Sequence, residues 1–401
     1  MKPECVAMIG DIDRLLEEAG VDALIAYGTA FEVPDILWLT GFRSPDLVTV
    51  LHNRGKETIV AAAFNTVDRI KKEGSVKRTY DLTALYRSLM EKGVRASNNP
   101  EIVYKALLGE VLSGTIIGVP DHLPASHLIA IQNLGYKVKP VPDLLMEGRA
   151  TKTPREVKLI KQAGSATISA VSRVINIIKD ADVGANGSLL VKGNPLTVQD
   201  IKHTLDHTLL DYDAESAEDA IVAVGKKGFD WHYLGKPGDK LKAGVPIIMD
   251  VFPRLKREFY VADVTRTVVK GTPEKRVREM FDAVLGTIGA VEDSMAEGAT
   301  MNEVNLACYN LLKRNGFDSS YLNPSAEEGM THGLGHGIGL AVHERPSMYE
   351  EESLYKSGHV VAIEPGVYLR KYGGVRIEND YAVTKRKPKR LTPGLDDVIY
   401  L

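Results

Sequence analysis

Two stretches of this chain each place a pair of acidic residues symmetrically about a turn. The first runs Pro246-Ile-Ile-Met-Asp250 through a charged loop to Asp263-Val-Thr-Arg-Thr267. Read as an antiparallel hairpin with its tip between Lys256 and Arg257, it sets Asp250 directly opposite Asp263. Opposed residues on a hairpin have Cβ atoms ~5 Å apart, and like charges there destabilise the pairing. Apolar residues flank both aspartates (Ile247, Ile248, Met249; Val261, Ala262, Val264), so the carboxylates need a cation or a shared proton. A bound metal is the stronger reading. The construction recurs where Val360-Val-Ala-Ile-Glu364 returns through Lys371 to Arg376-Ile-Glu378, with Glu364 and Glu378 equidistant from Lys371. One acidic hairpin is a common surface feature. Two with the same symmetry demand a fold that brings them together as halves of one site.

At 401 residues the chain is long for one hydrophobic core, so two domains are expected. The net charge of −3 supplies no basic field for nucleic acid and no polybasic patch for a membrane surface. No apolar run approaches the ~20 residues of a membrane span. Two cysteines, Cys5 and Cys308, are too few for a disulfide framework, and Met1 to Cys5 lacks the apolar core of a secretion signal. A cytoplasmic protein is the expectation.

Along the chain, helical periodicity over 4–19 ends at Gly20 and precedes a strand over 21–27. Strands over 48–51 and 57–62 flank the turn Asn53-Arg54-Gly55-Lys56. Helices are predicted at 83–92, 101–112 and 126–134, with strands at 115–119 and 136–141. This alternation predicts an α/β layer fold with a structural or substrate-shaping role. Pro140 and Pro142 mark a boundary, after which Thr153-Pro154-Arg155-Glu156 reads as a capped helix start. That helix is predicted to reach Lys179, burying Val157, Ile160, Ala163, Ile168, Val171, Val174 and Ile178. A second helix runs from Thr197 to near Tyr212 and leads to a strand over 219–224 and the first acidic hairpin. The order then repeats: helices over 273–297 and 301–315, followed by the histidine-bearing and second acidic segments. The pattern predicts an internal duplication.

Three of the ten histidines fall in Thr331-His332-Gly-Leu-Gly-His336-Gly-Ile-Gly-Leu-Ala-Val-His343-Glu. Gly333, Gly335, Gly337 and Gly339 argue for extended chain closely approached by other groups, so a helical HExxH zinc site does not fit. On extended chain His332 and His336 share a face, whereas His343 has the opposite parity and needs a bend to join them. Four carboxylates and at least one imidazole balance two divalent cations and leave room for a bridging hydroxide. Oxygen-rich ligation with one histidine suits Mn²⁺, Co²⁺ or Fe²⁺ better than a thiolate-type zinc site. The ligands come from separate segments, unlike a calcium loop. Hydrolysis is the natural chemistry of such a pair.

Together, Asp250 with Asp263-Val-Thr-Arg-Thr, Gly335-His336-Gly with His343-Glu, Ile363-Glu364-Pro-Gly and Arg376-Ile-Glu378 resemble the five-ligand signature of the pita-bread dinuclear metallopeptidases, of the Xaa-Pro dipeptidase (prolidase) and Xaa-Pro aminopeptidase (aminopeptidase P) type. The resemblance implies an α/β creatinase-like N-terminal domain over 1–145 and an α+β pita-bread catalytic domain over 153–401, with a pseudo-twofold duplication. It implies two divalent ions per subunit, manganese foremost, with cobalt, iron(II) or zinc as alternatives. Asp250 would bind one ion, Asp263 and Glu378 would bridge both, and His336 and Glu364 would complete the second. Glu364 would also handle the proton of the bridging water. His343 would approach the substrate peptide bond, His332 would line the proline-side pocket, and Arg376 would hold or orient groups there. His232, in Asp230-Trp-His-Tyr233, matches a histidine that stabilises the tetrahedral intermediate, although on residue grounds alone a packed core histidine fits equally.

The implied substrate is a small peptide with proline second, whose scissile bond lacks an N–H, and a homodimer is implied as well. Asp263 follows Asp250 by 13 positions, two more than is common in the family, and the extra residues enlarge the tip at Arg254, Lys256 and Arg257. Glu378 follows Glu364 by 14, the shorter, prolidase-like interval, which favours Xaa-Pro dipeptides. The alternatives are an aminopeptidase acting on longer peptides and a non-peptide C–N hydrolase on the same scaffold.

Overall fold

The computed structural model describes residues 11–95, 99–110, 116–396 and 399–401. The chain forms two units, one ending at Arg149 and the other running from Ala150 to Leu401.

The strands of the first unit are β1 (Ala23–Gly28), β2 (Val48–Asn53), β3 (Ile59–Ala62), β4 (Arg78–Asp81), β5 (Ile116–Val119) and β6 (Lys137–Pro140). They form one mixed sheet in the order β4-β3-β2-β1-β5-β6. Its β1–β2 and β2–β3 ladders are antiparallel, and the rest are parallel. The helices are α1 (Ile12–Glu18), α2 (Pro34–Thr40), α3 (Phe64–Glu73), α4 (Thr83–Glu91), α5 (Pro100–Leu107), α6 (Ala125–Asn133) and α7 (Leu144–Ala150). Central strands bury both faces (Leu24, Ile25, Val50, Leu51, Val60), which explains the apolar runs of β1 and β3.

Several departures have local causes. The helix predicted over 4–19 is described only from Ile12, and 4–10 lie outside the described residues. The helix predicted over 101–112 ends at Leu107, continues as a 3₁₀ turn over Leu108–Glu110, and residues 111–112 lie outside the described residues. Sequence reasoning missed α2, α3, α7 and β4. The seven residues of α2 are too few to show a period, although Pro34 at its start and left-handed Gly41 at its end (φ 59°) punctuate it. The edge strand β4 reads Arg-Thr-Tyr-Asp and buries nothing fully, so it shows no apolar alternation.

In the second unit α8 (Pro154–Asp180) opens with a capping box, Thr153 accepting from Glu156 N–H and Glu156 reaching back to Thr153 N–H. A small antiparallel ribbon follows: β7 (Asp182–Val183), β8 (Leu189–Val191) and β9 (Asn194–Pro195). Next come α9 (Val198–Leu210), β10 (Ala214–Ser216), β11 (Ile221–Val224), β12 (Ile247–Val251), β13 (Pro253–Leu255) and β14 (Val264–Val268). The order of paired helices then acidic strands repeats with α10 (Lys275–Ser294), α11 (Met301–Arg314), β15 (Gly335–Gly337), β16 (Val360–Ile363), β17 (Gly366–Leu369), β18 (Gly373–Arg376), β19 (Asn379–Ala382) and β20 (Lys389–Arg390). Capping boxes at Thr197–Asp200 and Thr300–Glu303 start α9 and α11. Each helix pair covers its own sheet. Val174, Ile178, Ile201 and Leu205 pack with Met249 and Val268, while Met280, Phe281, Val304 and Leu312 pack with Val361 and Ile363.

The two acidic hairpins differ in how they meet expectation. About the second turn, Leu369 pairs with Gly373, Gly366 with Arg376 and Ile363 with Asn379, all in the register that makes Glu364 and Glu378 equidistant from Lys371. About the first, Asp250 pairs with Thr265 and Val251 with Val264, so Asp250 and Asp263 are not directly opposed. The loop closes with Leu255 N–H on Tyr260 O, with Phe259 left-handed (φ 63°) and Leu255 and Phe259 buried. Burying those two apolar loop residues moves the tip one residue along. Arg254 also leaves the tip, since β13 pairs with β10 and Arg254 Nη2 lies 2.8 Å from Glu215 Oε1. Because the register shifts by two, Asp263 keeps the sheet face of Asp250.

Candidate metal centre

The inner ends of β12, β14, β15 and the turn joining β18 to β19 meet at a cavity of about 520 Å³ in the second unit. Asp250, Asp263, His336, Glu364 and Glu378 all line it. Ligand atoms of Asp263, His336 and Glu378 lie within 4.8 Å of one another. His336 Nε2 is 3.7 Å from Asp263 Oδ2 and 4.0 Å from Glu378 Oε1. Asp250 and Glu364 share the cavity but stand outside this tight group.

The strands place these side chains by parity. Asp263, Thr265 and Thr267 alternate along one face leading into and along β14. Thr265 Oγ1 donates to Glu378 Oε2 at 2.7 Å and accepts from Arg376 Nε at 3.0 Å. Thr267 Oγ1 donates to Arg376 O at 2.8 Å. Arg376 commits its guanidinium to Asp250 Oδ2 (2.6 Å), Tyr368 Oη (2.7 Å) and Thr265. Below Asp263, the buried Asp380 accepts its backbone N–H at 3.1 Å. Arg376 thereby holds Asp250 directly and Glu378 through Thr265.

Burial, then the neighbouring carboxylates, raises Asp263 and Glu378 well above the ordinary carboxylate range. Burial also pushes Glu364 up to about 7 against the pull of Arg376. His336 is pushed down to about 4 by burial and by His343, so its imidazole is neutral at pH 7. One oxygen each of Asp250 and Asp263 is buried with no hydrogen-bond partner. Buried carboxylate oxygens without donors are costly. Orphaned oxygens, destabilised negative charge and a neutral imidazole make a donor set that divalent cations would satisfy.

The other histidines sit around the same cavity. His332 Nε2 lies 2.9 Å from Tyr368 Oη, and burial pushes this imidazole down to about 3. The chain after β15 bends back, with Glu344 N–H on Gly337 O and Gly337 N–H on Pro346 O. That bend supplies what the parity of His343 required: its ring lies 4.2 Å from that of His336. His232 is exposed at the cavity and packs on Trp231 at 3.8 Å. Its pKa is lowered by partial burial and by Arg376.

Thr265, Tyr368 and Asp380 escaped sequence reasoning, although alternation pointed to each. Thr265 shares the face of Asp263 by alternation, and Tyr368 that of Glu364. Asp380 lies two positions beyond Glu378 and shares its parity.

Residues 158–385 match the model of metallopeptidase family M24. The Xaa-Pro dipeptidase of Pyrococcus horikoshii is 30% identical over 297 residues, covering 72% of this chain and 75% of that protein. The chain belongs to metallopeptidase family M24. Among solved structures, the Pyrococcus horikoshii prolidase superposes with a TM-score of 0.77 at 23% identity, over 98% of this chain and 99% of that one. The X-Pro aminopeptidase of Thermotoga maritima gives 0.74 at 22%, over 97% and 98%. These likenesses establish the M24 pita-bread fold. Membership in this metallopeptidase family brings divalent metal ions with it, and the acidic cavity is where the donors for them converge. Among the described residues no helix is long and apolar enough to cross a membrane.

Proposed function

We propose that this M24 metallopeptidase hydrolyses the peptide bond preceding proline, with Xaa-Pro dipeptides as its substrates. The convergence of Asp263, His336 and Glu378, with Asp250 and Glu364 on the same cavity, carries the reading. The Xaa-Pro dipeptidase relative supports the substrate class. Asp250, Asp263, His336, Glu364 and Glu378 would hold two divalent ions, manganese foremost. When bound, such ions polarise a carbonyl and acidify water at neutral pH.

The chain's own groups do the rest. Glu364, which burial lifts to about 7 in the metal-free chain, would accept and return the proton of the activated water. Arg376 keeps Asp250 and, through Thr265, Glu378 in place, so its part is to orient the acids. Among the described residues that line the cavity, Arg376 is also the only lysine or arginine. Imidazole N–H groups of His232 and His343 would serve as donors to the substrate, with His332, backed by Tyr368, forming one wall. The resemblance also implies a homodimer, which sedimentation would test, and a cytoplasmic location.

That commitment of Arg376 favours one second reading, action on longer peptides. A peptide extending past proline brings no carboxylate that needs a cation in the cavity. The deciding measurement is proline release from an Xaa-Pro dipeptide against cleavage of an Xaa-Pro-Xaa peptide, each with Mn²⁺ or Co²⁺ added. Cleavage of the dipeptide supports the proposal. Cleavage of the longer peptide alone moves the assignment to an aminopeptidase, and cleavage of neither refutes both.

A further inference from the structure

We propose that Lys152 and Glu344 are positioning residues for His343, holding the turn that presents it to the cavity; this rests on the peptidase reading above. Lys152 Nζ lies 2.7 Å from Glu344 Oε1, and each side chain is 1% exposed. Lys152 Nζ also approaches the carbonyl oxygens of Ala150 and Arg345, both at 3.4 Å. The second carboxylate oxygen of Glu344 accepts the N–H of Ala341 at 3.4 Å. Lys152 is itself fixed by its backbone N–H on Gly358 O at 2.8 Å. The pair thus anchors the turn over 338–345 to the lead into α8 and to the segment entering β16.

The glycines beside His336 are shaped around this pair. A Cβ on Gly339 would lie 2.1 Å from Glu344 Oε1 and 2.9 Å from Lys152 Cε. A Cβ on Gly337 would lie 2.4 Å from Glu344 O. Both glycines leave space in which Glu344 can turn inward under the loop while His343, its neighbour, faces outward. Glu344 N–H on Gly337 O then sets that stretch antiparallel to β15, which brings the His343 ring beside His336.

Stability alone is a poor reason to keep such a pair. A buried ion pair is often matched or surpassed by apolar residues of similar volume, whereas removing one partner strands a charge. What apolar residues lack is direction. The charged pair sets one orientation for the turn, and a misplacement of ~1 Å in a group acting on substrate costs up to about 100-fold in rate.

The test compares Glu344→Gln with the double variant Lys152→Met/Glu344→Met, which strands no charge. Measured are the melting temperature, metal content after Mn²⁺ loading, kcat and KM on an Xaa-Pro dipeptide, and the ¹³Cε1 resonance of His343, assigned with His343→Asn. The double variant is expected to fold at least as stably as wild type and keep its metal. Its kcat should fall about 10- to 100-fold, with a smaller change in KM. In metal-free protein the His343 resonance should move by more than that of His336. Wild-type kcat with an unmoved His343 resonance overturns the proposal, as does metal loss that accounts for the whole drop. If wild-type protein cleaves no Xaa-Pro peptide, the peptidase reading fails by itself, and the His343 resonance alone decides this inference.

Discussion

Thr265 joins the two acidic hairpins through one hydroxyl, donating to Glu378 at 2.7 Å and accepting from Arg376 at 3.0 Å. Thr265→Val keeps the shape and removes both bonds. Supporting residues of this kind typically tune metal affinity or activity by 10–100-fold. Thr265→Val should therefore lower kcat/KM about 10–100-fold and weaken Mn²⁺ binding, with the fold intact by circular dichroism. Steady-state kinetics beside a metal titration check it.

Asp263→Asn and Glu378→Gln remove charge from the tight group at nearly constant volume. Each should abolish turnover and reduce bound metal below the wild-type stoichiometry, yet leave a folded chain, because burial already disfavours the charged forms of both groups. Elemental analysis and an Xaa-Pro assay read the two effects. Wild-type turnover in either variant removes that residue from the centre.

Metal-free protein should lose stability as pH rises. Glu364 is raised from 4.5 to about 7 in the folded chain, and Asp263 and Glu378 shift in the same direction. Between those values the folded state binds more protons than the unfolded one, so the unfolding free energy falls with increasing pH. The contribution is fully present below the unfolded value and is lost as pH climbs through about 7. Divalent ions bind the deprotonated carboxylates and displace those protons. Added Mn²⁺ should therefore raise the melting temperature more at pH 8 than at pH 5. Scanning calorimetry across that range tests the sign.

Gly335→Ala and Lys256→Ala should differ sharply. A Cβ on Gly335 would stand 2.0 Å from Ala362 O, inside the ladder that holds His336 opposite Ala362. That variant should lose metal and unfold at lower temperature. Lys256 bonds through its backbone N–H to Asp213 O, which alanine retains. Its change should stay within about 0.5 kcal/mol with unaltered turnover. Paired melting curves and assays check both.

The site was legible in the sequence to the extent that side-chain parity determines it. The second hairpin obeys a symmetry visible in Glu364, Lys371 and Glu378, since a short glycine-bearing turn leaves little freedom in register. The first did not, because Leu255 and Phe259 bury themselves within a loop that reads as charged, and nothing local shows which apolar loop residues will turn inward. Even so, Asp250 and Asp263 stay on one face, because a slip of two preserves parity. A capping box at Thr153 and Glu156 announced α8, and boxes at Thr197 and Thr300 open α9 and α11 in the same way. The short α2 and the polar edge strand β4 lacked any periodic signal. Long-range partners such as Lys152 and Glu344 were invisible for a simpler reason: neither residue is unusual until the fold brings them together.

The backbone N–H of Glu378 donates to Thr265 O at 3.0 Å, and that of Asp263 to the Asp380 carboxylate at 3.1 Å. Main-chain donors thus cross-stitch the two duplicated halves beside the acids themselves. Loading such a centre calls for no refolding step. It becomes an ion exchange, and its rate should follow proton release rather than chain rearrangement.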